Sequence, residues 1–348
     1  MTDPMRHHGD TEVRGTDLLD FAVSVRLESP PGWLRERIFA APLGCYPDDR
    51  PAVAAVALRH GRSVDEVLLT AGAAEAFVLL ARAFSPTRAV CLHPSFTEPE
   101  AALRAAGHAV ERVVLPSPFL FDASLVPDDA DFVVLGNPTN PTGVLHPAQA
   151  VASLCRVGRT VVVDEAFMDF VPGEVASLAA RGDLPGLVVV RSLTKMWGLA
   201  GLRVGYLLAP AEIVERLRAA QALWAVSTPA LAAIEACTSK SVSVETLLAA
   251  SAVADERDLL ALALSSLGLQ VSPGASANFL LVRGPSGLRD ALRESGVAVR
   301  RCDTFPGLGP DWVRIAVRDA PSNAQLLAVV AELPASVRCA SAGDALKP

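Results

Sequence analysis

Residues 192–206 read Ser-Leu-Thr-Lys-Met-Trp-Gly-Leu-Ala-Gly-Leu-Arg-Val-Gly-Tyr, and they contain Lys195, one of only three lysines in a chain of 348 residues. The apolar run Leu187 to Val190 leads into this stretch and has the length of a buried strand. It gives way to polar residues at the point where open α/β sheets present their ligand-facing groups. A lysine placed there, beside glycines and Arg203, has two readings. One is a surface charge next to a turn. The other is an amine that, with an unperturbed pKa of about 10.4, becomes useful near neutrality when held as an imine with a carbonyl cofactor. The stretch alone leaves both open, and the segments around it have to decide.

Length and composition set the frame. A chain of this size has a soft prior of two domains and room for a large core. Hydrophobic residues at 51% and charged residues at 20% suit a soluble globular enzyme rather than a disordered chain. The formal net charge of −7 supplies no basic footprint for nucleic acid. No window offers about eighteen uncharged apolar residues, and Met1 to Asp10 lacks an apolar signal core, so neither a membrane span nor secretion is expected and the protein is read as cytoplasmic. Cys45, Cys91, Cys155, Cys237, Cys302 and Cys339 are scattered without a Cys-x-x-Cys pair, which speaks for reduced thiols and against zinc or a disulfide framework. His7 and His8 fall in a tail expected to be mobile rather than a metal site.

From Val67 onward the chain alternates strand and helix, the rhythm of a mostly parallel sheet with right-handed crossovers. Val67 to Thr70 is a short strand, followed at once by Gly72-Ala73-Ala74-Glu75 and an apolar helix pattern to Phe84. Small residues at a helix start leave backbone N–H groups free for a phosphate, although a glycine opening a helix is also common without one. Ala89 to Leu92 is the next strand and brings Phe96 to its end, as a core aromatic or as a ring-stacking partner. Phe132 to Leu135 runs into Gly136-Asn137-Pro138-Thr139-Asn140-Pro141-Thr142-Gly143, a rigid loop able to aim one amide at a ligand. Thr160 to Val163 ends at Asp164, either a helix cap or a carboxylate compensated by a cation such as a protonated pyridine nitrogen. Tyr46 lies on a Gly/Pro turn and Arg26 in a segment that crosses between lobes. After a helix from Ala211 to Leu223 and a long one from about Val244 to Leu267, the strand-like runs Asn278 to Val282, Val297 to Arg301 and Val313 to Val317 and the helices Leu288 to Glu294 and Ser322 to Leu333 predict a smaller α+β lobe.

Together these segments, from about Asp20 to Leu333, resemble the fold-type I pyridoxal-phosphate enzymes of the aminotransferase class I/II branch. The most specific motifs are Asn137 to Gly143, Asp164, and Ser192-x-x-Lys195 with Arg203 eight residues on. The resemblance implies an α/β fold with a large, mostly parallel seven-stranded sheet and a smaller α+β C-terminal domain. The divisions it suggests are an N-terminal arm and crossing segment (1–35), a large cofactor domain (36–235), a small domain (236–335) and a loose tail (336–348). It implies pyridoxal 5′-phosphate as cofactor. Lys195 would be the imine-forming lysine and proton shuttle, Asp164 the partner of the pyridine nitrogen and Asn140 the amide on the phenolic oxygen. Phe96 would stack on the ring, and Gly72, Ala73, Ala74, Ser192 and Arg203 would cradle the phosphate. Tyr46 matches a tyrosine that reaches the neighbouring subunit's cofactor, which implies a homodimer. Arg314 resembles the arginine that pairs with a substrate anion, with Arg300 and Arg26 as further candidate clamps. Phe167 stands where many relatives have tyrosine, a missing hydrogen bond worth about 0.5–1.5 kcal/mol. Ala74 stands where a hydrogen-bonding side chain is common.

Two subfamilies compete. Asp164 to Phe170, Arg191 to Lys195, and Phe305-Pro306-Gly307-Leu308-Gly309 before Arg314 to Arg318 look like threonine-phosphate decarboxylase. Histidinol-phosphate aminotransferase shares the scaffold and also takes a phosphorylated substrate. Ser24, Arg26 and Leu27 replace the Asn-x-Asn-Pro pattern typical of the decarboxylase. The expected function is therefore amino transfer between a small, phosphorylated amine and a 2-oxo acid, with decarboxylation as the alternative. A non-catalytic regulatory module is a third reading, disfavoured by the absence of a helix-turn-helix extension or basic face.

Overall fold

A computed structural model describes residues 4–338. Twelve strands form two sheets: β1 (Leu19–Phe21), β2 (Val67–Thr70), β3 (Ala89–His93), β4 (Val110–Val114), β5 (Phe132–Gly136), β6 (Thr160–Asp164), β7 (Leu187–Ser192), β8 (Gly205–Leu208), β9 (Gln270–Val271), β10 (Phe279–Arg283), β11 (Val297–Arg301) and β12 (Trp312–Ala316). The larger sheet has the order β2-β8-β7-β6-β5-β3-β4. Only β8 runs against its neighbours β2 and β7; the other pairs are parallel. The smaller sheet has the order β1-β11-β12-β10-β9.

The central strands are β-branched and buried on both faces, as a sheet covered by helices requires. Side-chain alternation divides them between two cores: Val161, Val163, Leu187 and Val189 join one, and Val162, Val188 and Val190 the other. A third core, around Leu260, Leu280, Val299, Ile315 and Leu326, lies under the smaller sheet. Because β2, β3, β5, β6 and β7 point the same way, the loops that follow them gather along one edge, where the segments singled out above end.

Most elements fall within a few residues of their expected bounds, and the fold is the expected α/β one with a large, mostly parallel sheet and a smaller α+β domain. The short helices Asp10–Val13 and Ala148–Ala152 and two longer ones, Arg50–His60 and Thr228–Thr238, were not foreseen. The last of these is apolar on most sides, so no amphipathic period marks it; it is capped by Ser227, whose side chain accepts from the Ala230 N–H, and its Ala230, Ala233, Ile234 and Cys237 are buried. β1 is likewise visible only through its parallel pairing with β11, nearly three hundred residues away, so the smaller sheet takes a strand from the N-terminal part of the chain.

The expectation of a mobile N-terminal tail fails for residues 5–14. Glu12 is buried, binding Arg289 at 2.7 Å and His7 at 3.0 Å, and Thr97 donates to the Met5 carbonyl at 2.5 Å. At the other end, the expected loose tail begins as a short helix, Ala335–Arg338, whose Arg338 side chain bonds the Leu333 carbonyl. Cys339 and the remainder of that tail lie outside the described residues. Cys45, Cys91, Cys155, Cys237 and Cys302 are free thiols. Among the described residues no helix is long and apolar enough to cross a membrane, and no cluster of potential metal ligands occurs.

Candidate active site

At the edge where the parallel strands end, a cavity of about 550 Å³ lies between the two sheets. Its lining gathers residues from most of the chain: Ala73, Ala74, Phe96, Asn140, Asp164, Phe167, Ser192, Lys195, Arg203, Arg300 and Arg314 all face it. Gly72 adjoins it, since a Cβ built there would stand 2.5 Å from Arg203 Nη2. Two expected residues do not line it. Arg26 turns away, with its Nε donating to the Met196 carbonyl at 3.1 Å while its backbone N–H donates to the Lys195 carbonyl at 2.9 Å. It steadies the loop that carries Lys195. Tyr46 is exposed and stacks on Trp224, with ring centroids 4.3 Å apart.

Lys195 Nζ has no hydrogen-bond or ion-pair partner among the described residues and sits 5.9 Å from the centre of the Phe167 ring. Burial, then Arg314 and Arg203, push its pKa down to about 8, with Asp164 working the other way. About a tenth of the amine is therefore uncharged at pH 7, and about half near pH 8. Asp164 accepts from the Ala166 N–H at 3.0 Å, and burial raises its carboxyl to about 6 against that bond and against Lys195. Phe167 packs edge-on against Phe279, 4.9 Å between centroids, and gives this side of the cavity an apolar wall.

The basic side chains of the cavity are short of acids. Arg203, at a φ of +59°, bonds the Ala200 carbonyl at 3.2 Å and has no carboxylate partner among the described residues. Next to it Ser192 and Thr194 share a hydrogen bond of 2.7 Å, and the helix Ala73–Ala83 opens with no side-chain cap. Free N–H groups at a helix start, two hydroxyls and an uncompensated guanidinium form an anion cradle. On the far side, Arg300 and Arg314 stand opposite each other on β11 and β12, both buried. Arg314 donates to Asn140 Oδ1 and to the Ala22 carbonyl, each at 2.6 Å, and its Nε has no partner. Burial, with Arg300 adding to it, pushes Arg314 down to about 9. Two like charges held face to face in the interior are costly unless an anion joins them.

These orphaned groups test whether pyridoxal phosphate fits. Among the described residues Asp164 has no cation within ion-pair distance, Arg203 has no carboxylate within that distance, and Lys195 Nζ has no hydrogen-bond or ion-pair partner. The Arg314 bond turns the Asn140 amide so that its Nδ2 is left to donate into the cavity. A pyridinium nitrogen, a phosphate, an aldehyde and a phenolic oxygen answer these needs one for one.

Thr194, Ser24, Phe305, Glu98 and the arm residues His8, Gly9 and Asp10 also line the cavity; Ser24, Thr194 and Phe305 fall within motifs read from the sequence, but none of the seven was given a place in the site there. Thr194 had a usable signal, lying next to Lys195 in Ser-x-Thr-Lys. The arm residues had none, because only tertiary packing brings them to a site whose residues lie up to about 300 positions away.

A seven-stranded α/β sheet with this set of side chains along one edge, beside a smaller α+β lobe, is the architecture of the fold-type I pyridoxal-phosphate enzymes. The family profile for aminotransferase class I and II matches residues 50–333, and the chain belongs to that family. It is 47% identical over 334 residues to a histidinol-phosphate aminotransferase of Mycobacterium tuberculosis, covering 94% of this chain and 90% of the relative. It is 33% identical to threonine-phosphate decarboxylase of Salmonella typhimurium over 79% of each chain. Among solved structures, histidinol-phosphate aminotransferase from Clostridium acetobutylicum superposes with a TM-score of 0.81 at 26% identity, covering 90% of this chain and 98% of its own.

Proposed function

We propose that the protein is a pyridoxal-phosphate-dependent aminotransferase for a small, phosphorylated amine of the histidinol phosphate kind, passing the amino group to a 2-oxo acid and working as a cytoplasmic homodimer. When bound, the cofactor supplies an aldehyde and an electron sink. Arg203, Ser192, Thr194 and the amides of Ala73 and Ala74 would hold its phosphate. Asp164 would keep its ring nitrogen protonated, Asn140 would donate to its phenolic oxygen, and Phe96 would cover one face. Lys195, largely deprotonated at slightly alkaline pH, is the group that would take a proton from the substrate's α carbon and deliver it to the cofactor's C4′ carbon.

The observation that carries this reading is the pair of buried, acid-free guanidiniums, Arg300 and Arg314, facing the same cavity as the Lys195 amine. A phosphorylated substrate brings the charge this pair lacks. The side chains Phe39, Leu43 and Tyr46, exposed along one segment, support a second copy of the chain packing there.

The test is a mixture of holoenzyme, histidinol phosphate and 2-oxoglutarate. Oxo-acid-dependent loss of the amine, absent in Lys195→Ala together with the protein's cofactor absorption band, is the expected result. Carbon dioxide released from threonine phosphate, with no amino transfer, would replace this reading by decarboxylation.

A further inference from the structure

β3 runs into the turn Pro94 to Thr97, which brings Phe96 to the cavity, and the chain then enters the helix Glu98–Ala105. One buried bond closes this turn at its base. His93 Nε2, on the last residue of β3, lies 2.8 Å from Glu100 Oε2 in the first turn of the helix, and neither side chain is more than 1% exposed. His93 Nδ1 is buried without a partner among the described residues, so the tautomer with its hydrogen on Nε2 serves the carboxylate and leaves only a lone pair unmet.

Glu100 is held from two further sides. Arg104, one helical turn on, reaches its Oε1 at 2.6 Å, and Arg112 of β4 bonds its two oxygens at 2.9 and 3.0 Å. Burial works to raise this carboxyl, but the bonds from His93, Arg104 and Arg112 hold it down to about 2, so it stays an anion at any working pH. The backbone of His93 is fixed from the same side, its carbonyl accepting from the Leu115 N–H at 2.7 Å just past β4. β4 lends no residue to the cavity wall, yet it grips both ends of the turn that does. A satisfied buried network of this kind contributes little net stability over apolar packing; what it adds is rigidity.

Phe96 itself is half-buried, with Phe77 at 6.4 Å and His8 at 5.4 Å between ring centroids. Both contacts are tilted rather than stacked, so the place of the ring depends on where the turn puts its Cα. We infer that His93 and Glu100 are positioning residues for the cofactor, and that their bond is a clasp fixing where Phe96 stands against the pyridine ring. Neither touches the cofactor, and both act through Phe96. This rests on the pyridoxal-phosphate reading above and adds to it two residues from outside the cavity.

A double-mutant cycle on the holoenzyme tests the inference, read by the rate of cofactor loss on dialysis and by the circular dichroism of the cofactor's absorption band. His93→Leu is expected to release pyridoxal phosphate about two- to tenfold faster, the worth of one aromatic contact, and to weaken the dichroic band. His93→Gln, which keeps an N–H donor near the place of Nε2, recovers most of the loss. In a Phe96→Leu background His93→Leu adds nothing further, because the residue it acts through is gone. If His93→Leu releases the cofactor at the wild-type rate, or speeds release by the same factor with and without Phe96, the clasp is only a structural contact; the inference is then overturned while the cofactor reading stands. If the wild type itself retains no pyridoxal phosphate, that reading falls and takes the inference with it. Should His93→Leu fail to fold, Arg112→Met, which frees Glu100 from the more exposed side, takes its place in the cycle and the same outcomes decide.

Discussion

Asp164 and Lys195 show how a single buried group records the ligand it awaits. The folded Asp164 carboxyl titrates near 6, above its ordinary 3.8, because burial disfavours the charge. In the cofactor-free protein a raised carboxyl adds stability that is complete below the unfolded pKa and vanishes as the pH climbs through the folded one. Between about pH 4 and 6 this group therefore makes the apoprotein less stable, by about 1–3 kcal/mol in all. Asp164→Asn should flatten that part of the stability profile in urea unfolding, and above pH 6 the variant apoprotein should be the more stable of the two. It should also bind the cofactor more weakly, since a neutral amide cannot hold a ring nitrogen protonated. An unchanged pH profile in Asp164→Asn would mean that the carboxyl is not buried as described.

At the scale of elements, the site depends on strand ends held at fixed spacing. β8 passes so close to the helix Ala73–Ala83 that a Cβ on Gly205 would lie 2.8 Å from the Arg191 carbonyl oxygen, 3.0 Å from Gly72 Cα and 3.1 Å from the Ala73 nitrogen. Gly205→Ala must push the phosphate cradle apart. A loss of about 1–3 kcal/mol in stability is expected, together with faster cofactor release measured by dialysis. Below the cavity floor, the fully buried Arg191 joins β7 to Glu165 at 3.2 Å, to Glu174 at 2.7 Å and to Asp169 at 2.5 Å. Its neighbours in sequence and space, Ser192 and Asp164, are cavity residues, so this ion cluster sets their separation. Glu174 is held down to about 2 with Arg191 and Arg59 beside it, whereas burial pushes Glu165 up to about 7. Arg191→Met would strand these carboxylates and cost about 3–5 kcal/mol. Arg191→Lys, a point charge without a fork, should recover only part of that. A denaturation midpoint that does not move in Arg191→Met would disprove the cluster's role.

Across the whole molecule, the cavity exists because segments from both ends of the chain are clamped over one sheet edge. Arg318, two residues past β12, donates to the carbonyls of Asp20, Val23 and Val25 at 2.8, 2.8 and 2.6 Å and so holds the stretch that places Ser24 in the cavity wall. Arg318→Met should raise the substrate KM several-fold and lower stability by about 1–3 kcal/mol, and an unaltered KM would show that this stretch is held by other contacts. The strand ends and most of the cavity floor were legible in the sequence. Val161 to Asp164 and Leu187 to Lys195 carry their meaning within a few residues, as an apolar run long enough for one strand followed by the chemistry at its tip. The same local reading misplaced what depends on distance. Arg26 sits near the cavity but spends its side chain on the Met196 carbonyl, and His8, in a stretch with no periodic pattern, becomes part of the wall. The amino-acid sequence by itself thus determined the strands of the larger sheet and the polar residues at their tips, because each of these arises from neighbours along the chain. Which arginines face the ligand, and what closes the mouth, only the tertiary structure decided, because those contacts join residues up to about three hundred positions apart and leave no period or spacing in the chain.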